Sequence, residues 1–117
     1  MKTVNIISVP VTDPQKSKEF YLKMGLTLVN EMHMGKDQTW IQLGFPGGGA
    51  NIALVTWFPK MPAGSLQGVT ILTDNIEEET KQLNKKGIET GKIDSQPWGK
   101  FSSVSDPDGN TWILHQQ

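Results

Sequence analysis

Cysteine is absent from the 117-residue chain, which excludes disulfides, thiolate zinc sites and thiol catalysis. Arginine is absent too: all eleven basic residues are lysines, set against twelve acids for a formal net charge of -1. Phosphate tracking and bidentate reading of guanine lean on arginine and on surplus positive charge, so no nucleic-acid partner is expected. No apolar run approaches the roughly 18 residues of a membrane span, and the start, Met1 to Ile7, lacks the apolar core and small-residue cleavage site of a secretory leader. The expectation is a cytoplasmic protein with no membrane contact. Hydrophobic residues make up 36% and charged residues 20%, the balance of one globular domain. A chain of this length buries roughly two-thirds of its extended surface, enough for a core without staples.

What is present alternates between strand and helix signals. Val4 to Val11 reads as a strand with Ile7, Val9 and Val11 on one face and Ile6, Ser8 and Pro10 on the other. Asp13 then caps a helix with Pro14 at its first position. Phe20, Met24 and either Ser17 or Tyr21 make its buried stripe, and Gly25 stops it. Leu26 to Met34 and Thr39 to Phe45 are strands joined at Lys36-Asp37. The run Pro46-Gly47-Gly48-Gly49 interrupts, and Asn51 to Trp57 is the fourth strand. Pro59, Pro62 and Gly64 mark a connector over residues 58–65.

The second half repeats the pattern. Val69 to Thr73 is a strand. Asn75 caps a helix with Glu78 at capping-box spacing, Ile76, Thr80 and Leu83 along its apolar side, and Gly87 at its end. A short strand is expected from Ile88, another over Phe101 to Val104, and the last over Thr111 to Gln116. The helix signals recur about 62 residues apart, Asp13 against Asn75 and Gly25 against Gly87. The expectation is an α+β fold of two paired β-α-β-β-β modules, about 1–57 and 66–117, because neither alone could bury its sheet face.

Val9-Pro10-Val11-Thr12-Asp13, Ser17, Phe20-Tyr21, Gly25-Leu26 and above all the tail Phe101 to Asn110, ending Asp106-Pro107-Asp108-Gly109-Asn110, carry a resemblance. Across nearly its whole length the chain resembles the vicinal oxygen chelate superfamily, which includes glyoxalase I, extradiol dioxygenases and bleomycin-resistance proteins. The resemblance implies strands curled round a cleft, a homodimer and, in the enzymes, a divalent metal held by His or Gln, Glu, His and Glu on four strands.

Carried over residue by residue, those ligand positions fall on Ile6, seven before Asp13; on Ala53 in the fourth strand; on Gly68, seven before Asn75, or Gln67 with a one-residue slip; and on Ile113, three beyond Asn110. Two isoleucines, an alanine and a glycine cannot chelate a divalent ion. The expectation is therefore no metal and no cofactor. The two histidines, His33 and His115, occupy none of these positions, although His115 shares the face of Ile113.

Four tryptophans offer binding surface. Asn51, Ala53 and Trp57 share one face of the fourth strand, and Trp40 and Gln42 share a face of the third. Trp98 sits in a loop before Phe101. Trp112 opposes Ile113 and so belongs to the core. The candidate ligand-binding set is Ile6, Ser8, His33, Trp40, Gln42, Asn51, Ala53, Trp57, Gly68, Trp98, Phe101, Ile113 and His115.

Other groupings read as structure. Glu77-Glu78-Glu79 fills a helix first turn, where the dipole favours acids. The triple glycine lacks the lysine and hydroxyl of a phosphate loop and suits a hairpin able to open over the cleft. Asp106 and Asp108 look like a catalytic pair, but Pro107 and Gly109 make them turn formers. The functional expectation is metal-free binding of a small, partly apolar molecule, in the manner of the bleomycin-binding relatives. The alternative is a glyoxalase-type lyase or isomerase using Glu31, His33 or His115 as a base.

Overall fold

The computed structural model describes residues 1–36 and 38–117; Asp37, part of the expected Lys36-Asp37 turn, lies outside the described residues. The chain runs β1 (Ile6–Pro10), α1 (Pro14–Met24), β2 (Thr27–Gly35), β3 (Gln38–Gly44), β4 (Asn51–Val55), β5 (Val69–Leu72), α2 (Ile76–Lys85), β6 (Asp94–Gln96), β7 (Gly99–Ser105) and β8 (Thr111–Gln116). Both helices start as their caps dictate. The Asp13 carboxylate accepts from the backbone N–H of Gln15 and Lys16 at 3.1 and 3.3 Å, and the Asn75 side chain accepts from Glu78 N–H at 3.1 Å. The two ends also match, since Leu26 N–H reaches Tyr21 C=O and Ile88 N–H reaches Leu83 C=O, both at 3.0 Å.

The strands form two separate four-stranded sheets, in the orders β1-β4-β3-β2 and β5-β8-β7-β6, rather than one curled sheet. In each, the first strand runs parallel to the last of its module and the remaining pairs are antiparallel. One expected strand moves. The segment from Ile88 touches the sheet only through an isolated bridge, Thr90 to Val104, and β6 begins later, at Asp94. Ile88 is instead buried in the core beneath α2.

Each sheet turns one face to its helix. Ile52, Leu54, Ile41, Leu43 and Val9 from the first, and Trp112, Leu114 and Val104 from the second, join Tyr21, Ile76 and Leu83 in a single buried cluster. Trp112 is fully buried, as its place opposite Ile113 requires. Its ring meets Tyr21 and Phe45 of the first module edge-on, each at 6.0 Å. Because both sheets contribute the same kind of face to this one core, their other faces look outward and are called the open faces below.

Candidate functional site

Register places the open face of the first sheet. Ile6 pairs with Asn51, Ser8 with Ala53, and Gln42 with Ala53, so these side chains share one side, and alternation along β3 adds Trp40. The Trp40 indole N–H donates to Gln42 Oε1 at 3.1 Å, and its ring stacks on Trp57 with centroids 6.3 Å apart and planes 27° apart. Phe58 extends this aromatic row beyond Trp57, at 6.2 Å. Seven candidate residues are thus brought together. Ala53 is fully buried, so its flanking neighbours, and not its own methyl, present surface to a ligand.

The second sheet assembles a smaller set. Phe101 pairs with His115 and Ser103 with Ile113, and the Phe101 and His115 rings stack with centroids 4.6 Å apart and planes 4° from parallel. A shallow depression of about 360 Å³ runs along Phe101, Ser103 and Ile113 toward Lys92 and Asp94. His115 Nε2 is buried without a hydrogen-bond partner, next to the backbone of Gly99, where an added Cβ would come within 2.7 Å of it. Gly68 is exposed, one residue before β5, at φ +84°. Trp98 is 70% exposed at the tip of the β6–β7 hairpin, apart from the other indoles.

His33 is a correction. It was expected at the cleft rim, but it pairs with Thr39 on the helix side of the first sheet, with its Nδ1 3.2 Å from the threonine hydroxyl. The cause is the phase of β2, which shifts register between Leu28 and Asn30. Glu31 lies on the same side, bound to Lys18 Nζ at 2.8 Å and to Gln15 Nε2 at 2.9 Å on α1. Those two hydrogen bonds hold the Glu31 carboxyl below the ordinary glutamate range. Of the three candidate bases, therefore, only His115 is on an open face.

The donor set does not fit a chelated metal. The positions onto which the resemblance carries the family's ligands hold Ile6, Ala53, Gly68 (Gln67 with a one-residue slip) and Ile113, and of these only Gln67 offers a side-chain lone pair. Among the described residues, no three His, Asp or Glu side chains gather anywhere.

The turn Asp106 to Asn110 does more than reverse the chain. Asp106 is buried and accepts four hydrogen bonds: from the N–H groups of Asp108 and Asn110 at 2.9 Å, and from Asn110 Nδ2 and Tyr21 Oη at 2.8 Å. Asn110 Nδ2 also donates to Pro10 C=O at 2.8 Å, and its Oδ1 accepts from Leu66 N–H at 2.9 Å. Trp112 Nε1–H donates to Tyr21 Oη at 3.0 Å. Burial, followed by the Asp106 charge, pushes the Tyr21 phenol far above its ordinary value. Thr12 closes the clasp by bonding Asp108 through both its hydroxyl and its N–H. The motif that looked like a catalytic pair is a polar clasp across the two modules.

Residues 3–114 match the family model of the Glyoxalase/Bleomycin resistance protein/Dioxygenase superfamily, and the chain belongs to that family. It is similar to the antibiotic-binding protein TnmS3 of Streptomyces sp. CB03234, at 36% identity and TM-score 0.91 over 99% of this chain and 96% of that one. A superfamily member from Sphaerobacter thermophilus DSM 20745 gives 25% identity and TM-score 0.89 over 100% and 98%. The uncharacterized protein YetH of Bacillus subtilis is 27% identical over 99% of both chains. No helix is long and apolar enough to cross a membrane, among the described residues.

Proposed function

We propose that the protein is a homodimeric binder of a small, partly apolar molecule, an antibiotic or a compound of similar build, held against the open faces without a metal ion. The observation that carries this reading is the chemistry of the first open face. It offers the stacked indoles of Trp40 and Trp57, with the amides of Gln42 and Asn51 beside them, and hydrocarbon where the superfamily's enzymes place ligands. Large apolar area with a few polar groups is what a binding pocket for an organic molecule needs. The likeness to an antibiotic-binding protein at 36% identity supports the same role.

A second copy completes the site. Every residue of β2 is exposed, including Val29, Met32 and Met34 at 46–53%, and Leu72 on the other sheet is 63% exposed. Apolar surface of this extent marks an interface, and two outward-looking open faces leave each half of a cleft uncovered until another chain supplies the facing half. Glyoxalase-type chemistry finds less support, because the Nε2 of His115 is buried beside Gly99 and carries no hydrogen bond.

The test is a tryptophan-fluorescence titration with a panel of aromatic antibiotics, with and without EDTA. Saturable quenching unaffected by EDTA supports binding without a metal. Binding that vanishes with EDTA, or turnover of a bound compound that needs His115, overturns the reading.

A further inference from the structure

The duplication is broken at one place, and the break leaves a cavity. In the second module the β7–β8 turn, residues 106–110, crosses to the first module through Asp106 and Asn110. The corresponding β3–β4 connection, residues 45–50, starts with Phe45 where that turn has Asp106 and ends with Ala50 where it has Asn110. Among the described residues its backbone bond is internal, Gly48 N–H to Phe45 C=O at 3.0 Å, and the Asn51 N–H that follows bonds Asn5 C=O of the same module at 2.9 Å. Among the described residues, no hydrogen bond ties it to the second module. Between this loop, β5 and the start of α2 lies a groove of about 850 Å³, within the range of drug-sized ligand pockets.

We propose that this groove is a second ligand site, separate from the Trp40 and Trp57 surface of the first sheet, for an organic cation with an apolar body. Its floor is apolar, from the partly exposed Ile7, Met24, Phe45, Val69 and Ile71 above the buried Trp112 and Leu114. Its rim carries the carboxylates of Asp74, Glu78 and Glu79, and no lysine lines it. The N-terminus of α2 contributes about half a positive charge, which three carboxylates outweigh. Glu79 accepts from the Thr73 hydroxyl and Glu78 from Gln82 Nε2; each keeps further lone pairs for an ammonium group. An apolar floor below an acidic rim selects an amine on an aromatic or aliphatic body over the matching acid or alcohol.

The experiment is an amide NMR titration of the intact protein with phenylbutylamine, beside phenylbutyrate and phenylbutanol. The amine is expected to shift amides of Thr70 to Asn75 and Gly47 to Ala50, leaving Trp40 and Gln42 unmoved, and to bind at least about fivefold tighter than the other two. The double variant Glu78→Gln, Glu79→Gln is expected to remove that preference and keep the weak binding of the alcohol. Shifts confined to Trp40, Gln42 and their neighbours on the first sheet, equal affinity for all three compounds, or a preference that survives the double variant overturns the proposal. None of these outcomes bears on metal-free binding at the open faces, which the fluorescence titration decides separately.

Discussion

Tyr21 on α1 donates its hydroxyl to Asp106, 85 positions along the chain, at 2.8 Å within the core. The same oxygen accepts from Trp112 Nε1, so one phenol joins the helix of the first module to the last turn and last strand of the second. Four donors on the Asp106 carboxylate and three bonds on the Asn110 side chain leave this network with full partners, the condition under which hydrogen bonds offset the desolvation cost of a buried polar cluster.

Removing one member strands the others. Tyr21→Phe leaves Trp112 N–H and one Asp106 oxygen short of partners, and is expected to cost about 1–3 kcal/mol in urea unfolding. Asp106→Ala, which orphans Tyr21 and Asn110 together, is expected to cost on the order of 3 kcal/mol or more. Losses under about 0.5 kcal/mol for both would show that the clasp contributes little.

The chain has a single tyrosine, so its ionisation can be followed without ambiguity. An ordinary phenol titrates near 10.0, whereas burial and the Asp106 charge raise Tyr21 well beyond that. The raised value stabilises the fold fully below pH 10. Above it the unfolded chain ionises and the native chain does not, so stability should fall by about 1.4 kcal/mol per pH unit. Ultraviolet difference spectra should show no tyrosinate until the protein unfolds; a native titration near pH 10 contradicts the burial.

Gly64 tests the linker. It sits at φ +83°, donates its N–H to Pro10 C=O at 3.0 Å, and a Cβ there would run into the Asp108 carbonyl oxygen. Gly64→Ala therefore adds a clash to the left-handed penalty and is expected to cost more than about 2 kcal/mol. Gly109→Ala, at φ +96° with open space around it, should cost about 1 kcal/mol. Equal losses in thermal or urea unfolding would remove the close approach from the explanation.

The two faces of the first sheet make opposite predictions for binding. Trp40→Ala or Trp57→Ala removes half of the indole stack and should weaken ligand affinity about tenfold or more. His33→Ala, on the helix side, should leave affinity unchanged within twofold in the same titration. The reverse pattern would move the site to the other face.

Much of this was legible from the residues. The helix caps at Asp13 and Asn75, the buried stripe Ile76, Thr80, Leu83 and the inward Trp112 follow from local chemistry and period. His33 was misplaced because a register shift in β2 resets alternation, and nothing in Leu28-Val29-Asn30 signals an extra residue. The late start of β6 escaped because Ile88 is buried by the core, which looks the same in sequence as burial by a sheet. The clasp was hidden for a different reason. Asp106 and Asn110 do form a turn, as their neighbours indicate, and their partners Tyr21, Pro10 and Leu66 become visible only when the modules meet. Whether an open face belongs to a cleft likewise depends on a partner surface outside the chain's local pattern.

The central claim, that two copies hold an organic molecule with no metal, is tested most directly by native mass spectrometry of protein purified without chelator and loaded with a compound that quenches its tryptophans. A mass of twice the 13.0 kDa chain plus the compound, unchanged by EDTA, is the predicted result. One divalent ion per chain, whose removal releases the compound, would contradict it.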